Sequence, residues 1–233
     1  GTTVNFAEGK GTGISDIRFS PFGNVELNLF YAVSHNMYIV SGMVLGEGAA
    51  MLVLESWEHA VARGAPIHGE ILGCGLATDV SHITRPSVEG QVAAMVAALQ
   101  SASIEASAID AINAHGTGTP ANDAVETAAI KAVLGQRAYH VPISATKAMH
   151  GHLLGATAAL ECVLSLLAMQ HGVALPTMHL QTPDPLCDLD CVANAAREGI
   201  TVHTMLSNSF AFGGTNAVLV LGSASRALSA VRS

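Results

Sequence analysis

From residue 42 onward the chain alternates between apolar runs and polar stretches. "AAMLVLES" (49–56) begins as a continuous apolar run, which predicts a strand buried on both faces. "WEHAVARG" after it predicts a short helix stopped by Gly64. "IHGEILGCGLAT" (67–78) is strand-like, and "VEGQVAAMVAALQSA" (88–102) sets apolar residues at helical spacing. "IDAINAH" (109–115) predicts a strand, "NDAVETAAIKAVLG" (122–135) a helix closed by Gly135, and "YHVPISA" (139–145) a short strand. "HLLGATAALECVLSLLAMQHG" (152–172) is apolar nearly all round, so it predicts a long helix sandwiched between two layers. "TVHTMLSNS" (201–209) and "NAVLVLGS" (216–223) predict two strands, paired as a hairpin by the short Gly-containing loop between them. Strands alternating with helices predict an α/β class, with a mixed sheet between helical layers.

Ahead of residue 43 the pattern gives no firm element. Gly9, Gly11 and Gly13 fit neither a P-loop nor dinucleotide spacing and read as a flexible loop, while "VELNLFYAVSHNMYIVSG" would suit one or two strands. The expected organisation is an unmatched segment (1–42), one domain (43–223) and a tail (224–233). No signal peptide is expected, and the first residue, a glycine, suggests a processed or partial chain.

Composition narrows the class. Half of the 233 residues are hydrophobic but only 4% are aromatic, so the core must be built from Ala, Val, Leu and Ile. A 12% share of charged residues implies that some surface is covered, as in an oligomer. The formal charge of −8, without any Lys/Arg cluster, speaks against a nucleic-acid partner. Cys74, Cys162, Cys187 and Cys191 are too scattered for a disulfide framework, which suits reduced thiols in the cytoplasm. Leu153 to Leu175 is long enough to span a membrane, but Glu161 near its middle favours a buried helix of a soluble core.

Three stretches carry candidate chemistry. In "INAHGTGTPANDAVE" (112–126), His115 stands where a strand ends. Gly116 and Gly118 let a ligand approach the backbone, and Thr117 and Thr119 supply hydroxyls. A lone histidine at a strand end is usually structural, but a structural turn does not need two hydroxyls between small residues.

In "SATKAMHGHLLGA" (144–156), His152 would lie in the first turn of the long helix, whose dipole favours a neutral ring. A neutral imidazole can donate to a developing oxyanion while Lys147 holds a neighbouring group, although Lys147 also reads as a solvated loop charge. His150 and His152 form a His-x-His pair with no third ligand at sensible spacing, so no metal is expected. Glu161 on the apolar helix needs a partner, and Lys147 is the natural one.

In "SNSFAFGGTNA" (207–217), Phe210 and Phe212 are expected on a loop that also holds Gly213 and Gly214, and aromatic side chains on such a glycine-hinged loop can gate an apolar pocket. Phe210 fits a core position equally well. Ser144-Ala-Thr-Lys147 also spells the S-x-x-K of serine acyltransferases, but Ser144 ends a strand and the companion motifs are missing.

"NAHGTGTPANDAVE", "SATKAMHGHLLGATAALE" and "SNSFAFGGTNA", in this order, resemble the C-terminal half of a β-ketoacyl-acyl carrier protein synthase of the elongating type. "GMVLGEGAAMLVLESWEHAVARGA" (42–65) and "TDVSHITRP" (78–86) extend the resemblance to about residues 42–222. It implies the thiolase-like fold and a Claisen condensation of an acyl thioester with malonyl-acyl carrier protein, in fatty acid or polyketide synthesis. It implies that His115 and His152 bind and decarboxylate the malonyl thioester, and that Lys147 with Glu161 orders the site. Thr117 and Thr119, with Thr84 assisting, would hold the phosphopantetheine arm that arrives on the carrier protein. Phe212 would be the gate and its N–H half of an oxyanion hole, with Asn208, Phe210 and Gly213 in support. No resident cofactor or metal is implied, and the family is normally a homodimer.

The family's nucleophilic cysteine lies in a small-residue motif at a helix N-terminus, and none of the four cysteines here has that setting. The resemblance therefore predicts decarboxylating and thioester-binding groups without the acyl acceptor. The alternative is a non-catalytic homologue that binds acyl carrier protein or pairs with an active synthase as a heterodimer. Half of a two-half fold would also expose the apolar face of the helix from His152.

Overall fold

The structure, a computed structural model, describes residues 42–80 and 82–225, and ahead of them the backbone of three short strands, β1 (Thr2–Asn5), β2 (Ala7–Glu8) and β3 (Ile17–Arg18). The readings at Gly9, Gly11 and Gly13 and over 25–41 lie outside the described residues. The main strands that follow are β4 (Val53–Ser56), β5 (Gly69–Thr78), β6 (Ala111–Asn113) and β7 (Ile143–Ser144). After them come β8 (Val173–Ala174), β9 (Arg197–Glu198), β10 (Thr204–Phe210) and β11 (Thr215–Ser223). The helices are α1 (Trp57–Ala62), α2 (Val88–Ala102), α3 (Asp123–Leu134), α4 (Lys147–His150) and α5 (Thr157–His171).

Seven strands form one sheet in the order β4-β1-β5-β11-β10-β6-β7. β10, β6 and β7 run parallel, and the other pairings are antiparallel, so the sheet is mixed. β10 and β11 pair as the expected hairpin. Side chains alternate across the sheet with the strand period of two. Ile112, Leu206, Val218 and Val220 pack with Ala94, Met95 and Ala98 of α2 and Ile130 of α3 on one face. Ala111, Met205 and Leu221 pack with Cys162, Val163 and Leu166 of α5 on the other. The sheet thus lies between helical layers. Each fully buried Leu or Ile on it contributes about 1.5–3 kcal/mol.

α2 starts where Ser87 Oγ accepts the Gly90 N–H at 3.0 Å, a side-chain N-cap. It ends at Ser103 in the left-handed region. Two glycines of β5 let α2 lie against the strand. A Cβ on Gly75 would enter the backbone of Ala94 and Ala98, and one on Gly73 that of Ala98 and Ala102.

Several boundaries differ from the sequence pattern. The strand expected over 139–145 is only Ile143–Ser144, because Gly135–His140 coils into a 3-10 helix after α3. The buried strand expected over 49–56 forms only from Val53 and is mostly exposed, because β4 is the edge strand of the sheet. The helix expected from His152 begins at Thr157, since Leu154 takes a positive φ of 52° and Leu154–Ala156 form a 3-10 turn. Short strands precede residue 42, and β1 enters the main sheet between β4 and β5.

The stretch Leu154–His171 is long and apolar enough to cross a membrane by length and composition. Its apolar face is not left open as expected. Leu160 packs near Ala50, and Val163, Leu166 and Met169 pack on the sheet. Leu154 at its start is exposed, and the other large exposed apolar residues include Val44, Leu45, Met51 and Leu54 before and within β4, and Leu76, Val80 and Ile83.

Candidate active site

Three parallel strands end at one edge of the sheet, where site residues of open α/β sheets gather. His115 follows β6, Lys147 follows β7, and Phe210 closes β10. The order of the strands thereby brings together residues that are far apart in sequence.

The turn after β6 is held by a carboxylate that the sequence pattern did not single out. Glu126 Oε1 accepts the His115 N–H at 2.8 Å and Asn208 Nδ2 at 3.0 Å. Oε2 accepts the Gly116 N–H at 2.9 Å and Asn122 Nδ2 at 3.1 Å. Each oxygen of this buried group therefore has two donors, which offsets the cost of its burial. Gly116 sits at φ 42°, and a Cβ there would come 2.6 Å from that of Ala145, so only glycine fits this turn. A signal for Glu126 was present in the sequence. It shares the stripe of Ala129, Ile130 and Leu134, the buried face of α3, where a carboxylate needs partners.

Thr117 and Thr119 stand beyond the turn with their hydroxyls 2.8 Å apart. Thr119 Oγ1 also accepts the Asn122 N–H at 3.3 Å, so it helps to start α3.

Lys147 crosses between the elements. Its buried Nζ donates to the His115 carbonyl at 2.5 Å and to Glu161 Oε1 at 2.7 Å. The solvated-loop reading of Lys147 is therefore excluded. Thr146 Oγ1 reaches Glu161 Oε1 at 3.4 Å. Burial pushes the Glu161 carboxyl up to about 7, with Lys147 opposing the rise.

The His115 and His152 rings meet edge to face with centroids 5.6 Å apart, and the Phe210 ring lies 5.7 Å from His115. Burial, followed by Lys147 and His152, pushes His115 down to about 2. Burial and then Lys147 lower His152 as well. Both rings are neutral at pH 7. The helix-dipole explanation for His152 falls, because α5 begins five residues later. His152 Nδ1 accepts the Leu154 N–H at 3.1 Å, which leaves the proton on Nε2. Thr157 Oγ1 lies 3.0 Å from the same nitrogen.

Phe212 is 72% exposed on the hairpin loop, whereas Phe210 is buried and is the aromatic ring beside His115. The Gly213 N–H donates to the Ile83 carbonyl at 2.8 Å, which joins the hairpin loop to the segment of Thr84. Thr84 is exposed there and pairs with His82. Asn208 is buried behind the site on Glu126. Ser144 donates to the Leu175 carbonyl at 2.7 Å and Lys147 is engaged elsewhere, so no serine–lysine pair forms. Among the described residues there is no group of three or more His, Cys, Asp or Glu that could hold a metal ion.

The cysteines lie outside the site's chemistry. Cys162 is buried in α5 and pushed up to about 12, and burial raises Cys191 to about 11 and also raises Cys187. Cys74 lies on β5, three strand spacings from β6, or about 14 Å.

Comparison with known proteins follows the same lines. Residues 68–181 match the family described as beta-ketoacyl synthase, C-terminal domain. Nodulation protein E of Rhizobium meliloti is 54% identical over 178 residues, which are 76% of this chain and 44% of that protein. The 3-oxoacyl-(acyl-carrier-protein) synthase 2 of Coxiella burnetii is 51% identical over 182 residues, or 77% of this chain and 44% of that protein. The solved structure of a type II PKS acyl-carrier protein in complex with its ketosynthase bound to the hexaketide superposes with a TM-score of 0.76 at 38% identity, covering 78% of this chain and 45% of that one. The chain spans less than half the length of the relatives it matches.

Proposed function

The chain belongs to the β-ketoacyl synthase family, whose thiolase-like C-terminal half it carries, and from that premise we propose that it binds a malonyl thioester and decarboxylates it for a Claisen condensation. The domain responsible is 43–223. The observation that carries this reading is the edge-to-face pair of the buried His115 ring and the His152 ring, with centroids 5.6 Å apart beside the edge where β6 and β7 end.

Decarboxylation breaks the bond between the malonyl carboxylate and the α-carbon. The electron pair passes into the thioester as an enolate, and CO2 leaves. The enolate oxygen needs donors that are already in place. His152 offers Nε2–H because Leu154 occupies Nδ1, and a neutral His115 beside it adds no counter-charge that would hold the substrate carboxylate. The α-carbon then attacks the carbonyl of an acyl thioester, the C–S bond of that thioester breaks, and its sulfur leaves as the thiolate, which takes up a proton from water.

The acyl acceptor is not one of the four cysteines here, whose settings are inert or distant. It belongs to the part of the relatives that this chain does not span. Thr117, Thr119 and Thr84 would bind the phosphopantetheine arm, with acyl carrier protein as the partner and Phe212 at the entrance. No resident cofactor takes part. A homodimer, or a heterodimer with an active synthase, completes the assembly, in the cytoplasm.

The test is conversion of malonyl-acyl carrier protein to acetyl-acyl carrier protein, followed by intact mass. Wild type converts it, and His115→Ala and His152→Ala each lose about 10²-fold or more. Equal rates in wild type and both variants would remove the proposal and leave a carrier-protein-binding homologue.

A further inference from the structure

His150 stands between Lys147 and His152, and the chemistry above gives it no task. It closes α4, which has only four residues. One helical turn is not stable on its own. Its backbone supplies a Met149 N–H bond to the Thr146 carbonyl at 2.9 Å and a Gly151 N–H bond to the Lys147 carbonyl at 2.8 Å.

The His150 ring adds a brace at both ends. Nδ1 is 2.7 Å from the Gly151 carbonyl oxygen, which only accepts, so Nδ1 carries the hydrogen. Nε2 of the neutral ring is then an acceptor, and the Thr146 hydroxyl donates to it at 3.3 Å. Neutrality is favoured by burial, which holds His150 down to about 4, with Lys147 and His152 acting in the same direction and the Gly151 carbonyl opposing. The ring thereby links Thr146, one residue ahead of Lys147, to Gly151, one residue ahead of His152.

The far side of the turn is closed as well. The His152 N–H donates to the Val44 carbonyl at 2.7 Å, and the Gly46 N–H to the His152 carbonyl at 3.0 Å. A Cβ on Gly46 would run into the His150 carbonyl oxygen.

We infer that His150 is a positioning residue, whose bonds to the Gly151 carbonyl and the Thr146 hydroxyl set the placement of His152 relative to Lys147. The functional weight of this brace rests on the proposed roles of those two residues. Thr146 has one hydroxyl hydrogen and two acceptors, His150 Nε2 and Glu161 Oε1, so removing His150 turns the hydroxyl toward Glu161.

The test uses the full chain and two variants. His150→Phe keeps the ring volume and loses both bonds, and His150→Gln restores one N–H donor and one carbonyl acceptor. The readout is the imidazole 15N spectrum of His152 at pH 7, which reports its tautomer without any turnover. Wild type gives the Nε2–H form alone. His150→Phe is expected to give a mixture with the Nδ1–H form, and His150→Gln to return the wild-type pattern. An unchanged His152 in a folded His150→Phe overturns the inference, and so does a folded His150→Gln with a mixed pattern. If His150→Phe does not fold, the His150→Gln pattern decides alone. A brace that passes this test in a chain that does not decarboxylate malonyl thioester would sink the proposed function and leave the brace standing.

Discussion

Glu126 and Glu161 reach the same edge of the sheet from helices on opposite faces, and they are held in different ways. Glu126 rests on four neutral N–H donors, two for each oxygen. Glu161 has one cation, Lys147, and the Thr146 hydroxyl on Oε1, while Oε2 has no donor among the described residues. The first arrangement fixes backbone: it clamps the His115–Gly116 turn. The second ties three elements through one ammonium group and leaves the carboxyl poised near 7. A carboxylate surrounded by fixed dipoles makes a scaffold, whereas one facing a single cation in a dry site stays able to take up a proton.

The largest effect is expected where the cation is removed. Lys147→Met leaves Glu161 buried without its partner, which costs about 3–5 kcal/mol for an ionised group. Protonation offers Glu161 an escape, so urea unfolding should show a smaller loss at pH 5 than at pH 8. An equal loss at both would mean that Glu161 is not the group left unpaired.

Glu126→Gln tests the other anchor. Its amide offers one acceptor oxygen where the carboxylate offered two, and it turns an NH2 group toward existing donors. The expected loss is about 1–3 kcal/mol, read from the shift of the urea unfolding midpoint at pH 7, and an unchanged midpoint would mean that the four bonds do not hold the turn.

A smaller effect is expected in the pH dependence of the wild type. Glu161 is raised from 4.5 to about 7 in the folded chain. Its contribution is present below about 4.5 and is lost as pH rises through about 7. His115 and His150 are lowered from 6.5 to about 2 and about 4, so their contributions are present above 6.5 and fade as pH falls toward those values. The slopes oppose each other between 4.5 and 6.5. Glu161→Gln removes the falling component, and its stability should rise with pH more steeply than that of wild type. Parallel profiles would break the contrast between the two carboxylates.

Much of this was legible in the sequence because it depends on local pattern. Apolar runs and a 3.6 period marked α2, α3 and the β10–β11 hairpin, and the motifs around His115, Lys147 and Phe210 marked the strand ends. The start of α5 was not legible. Leu153, Leu154 and Ala156 continue the apolar pattern of the helix, and the positive φ of Leu154 with the 3-10 turn Leu154–Ala156 separates the turn carrying His152 from it. Glu126 was missed because its partners, the His115 and Gly116 N–H groups and Asn208, come together only when β6 and β10 pair. Phe210 was ambiguous for a similar reason. Alternation along β10 buries it, but only the neighbouring β6 places His115 beside its ring.

The most direct test of the account is an imidazole 15N titration of His115 in the full chain between pH 5 and pH 8. A ring buried beside Lys147 and His152 and pushed down to about 2 stays neutral over that range and shows no transition. A His115 that titrates near the ordinary 6.5 would contradict the account, because it would be a solvated histidine and not half of the neutral pair on which the proposed decarboxylation rests.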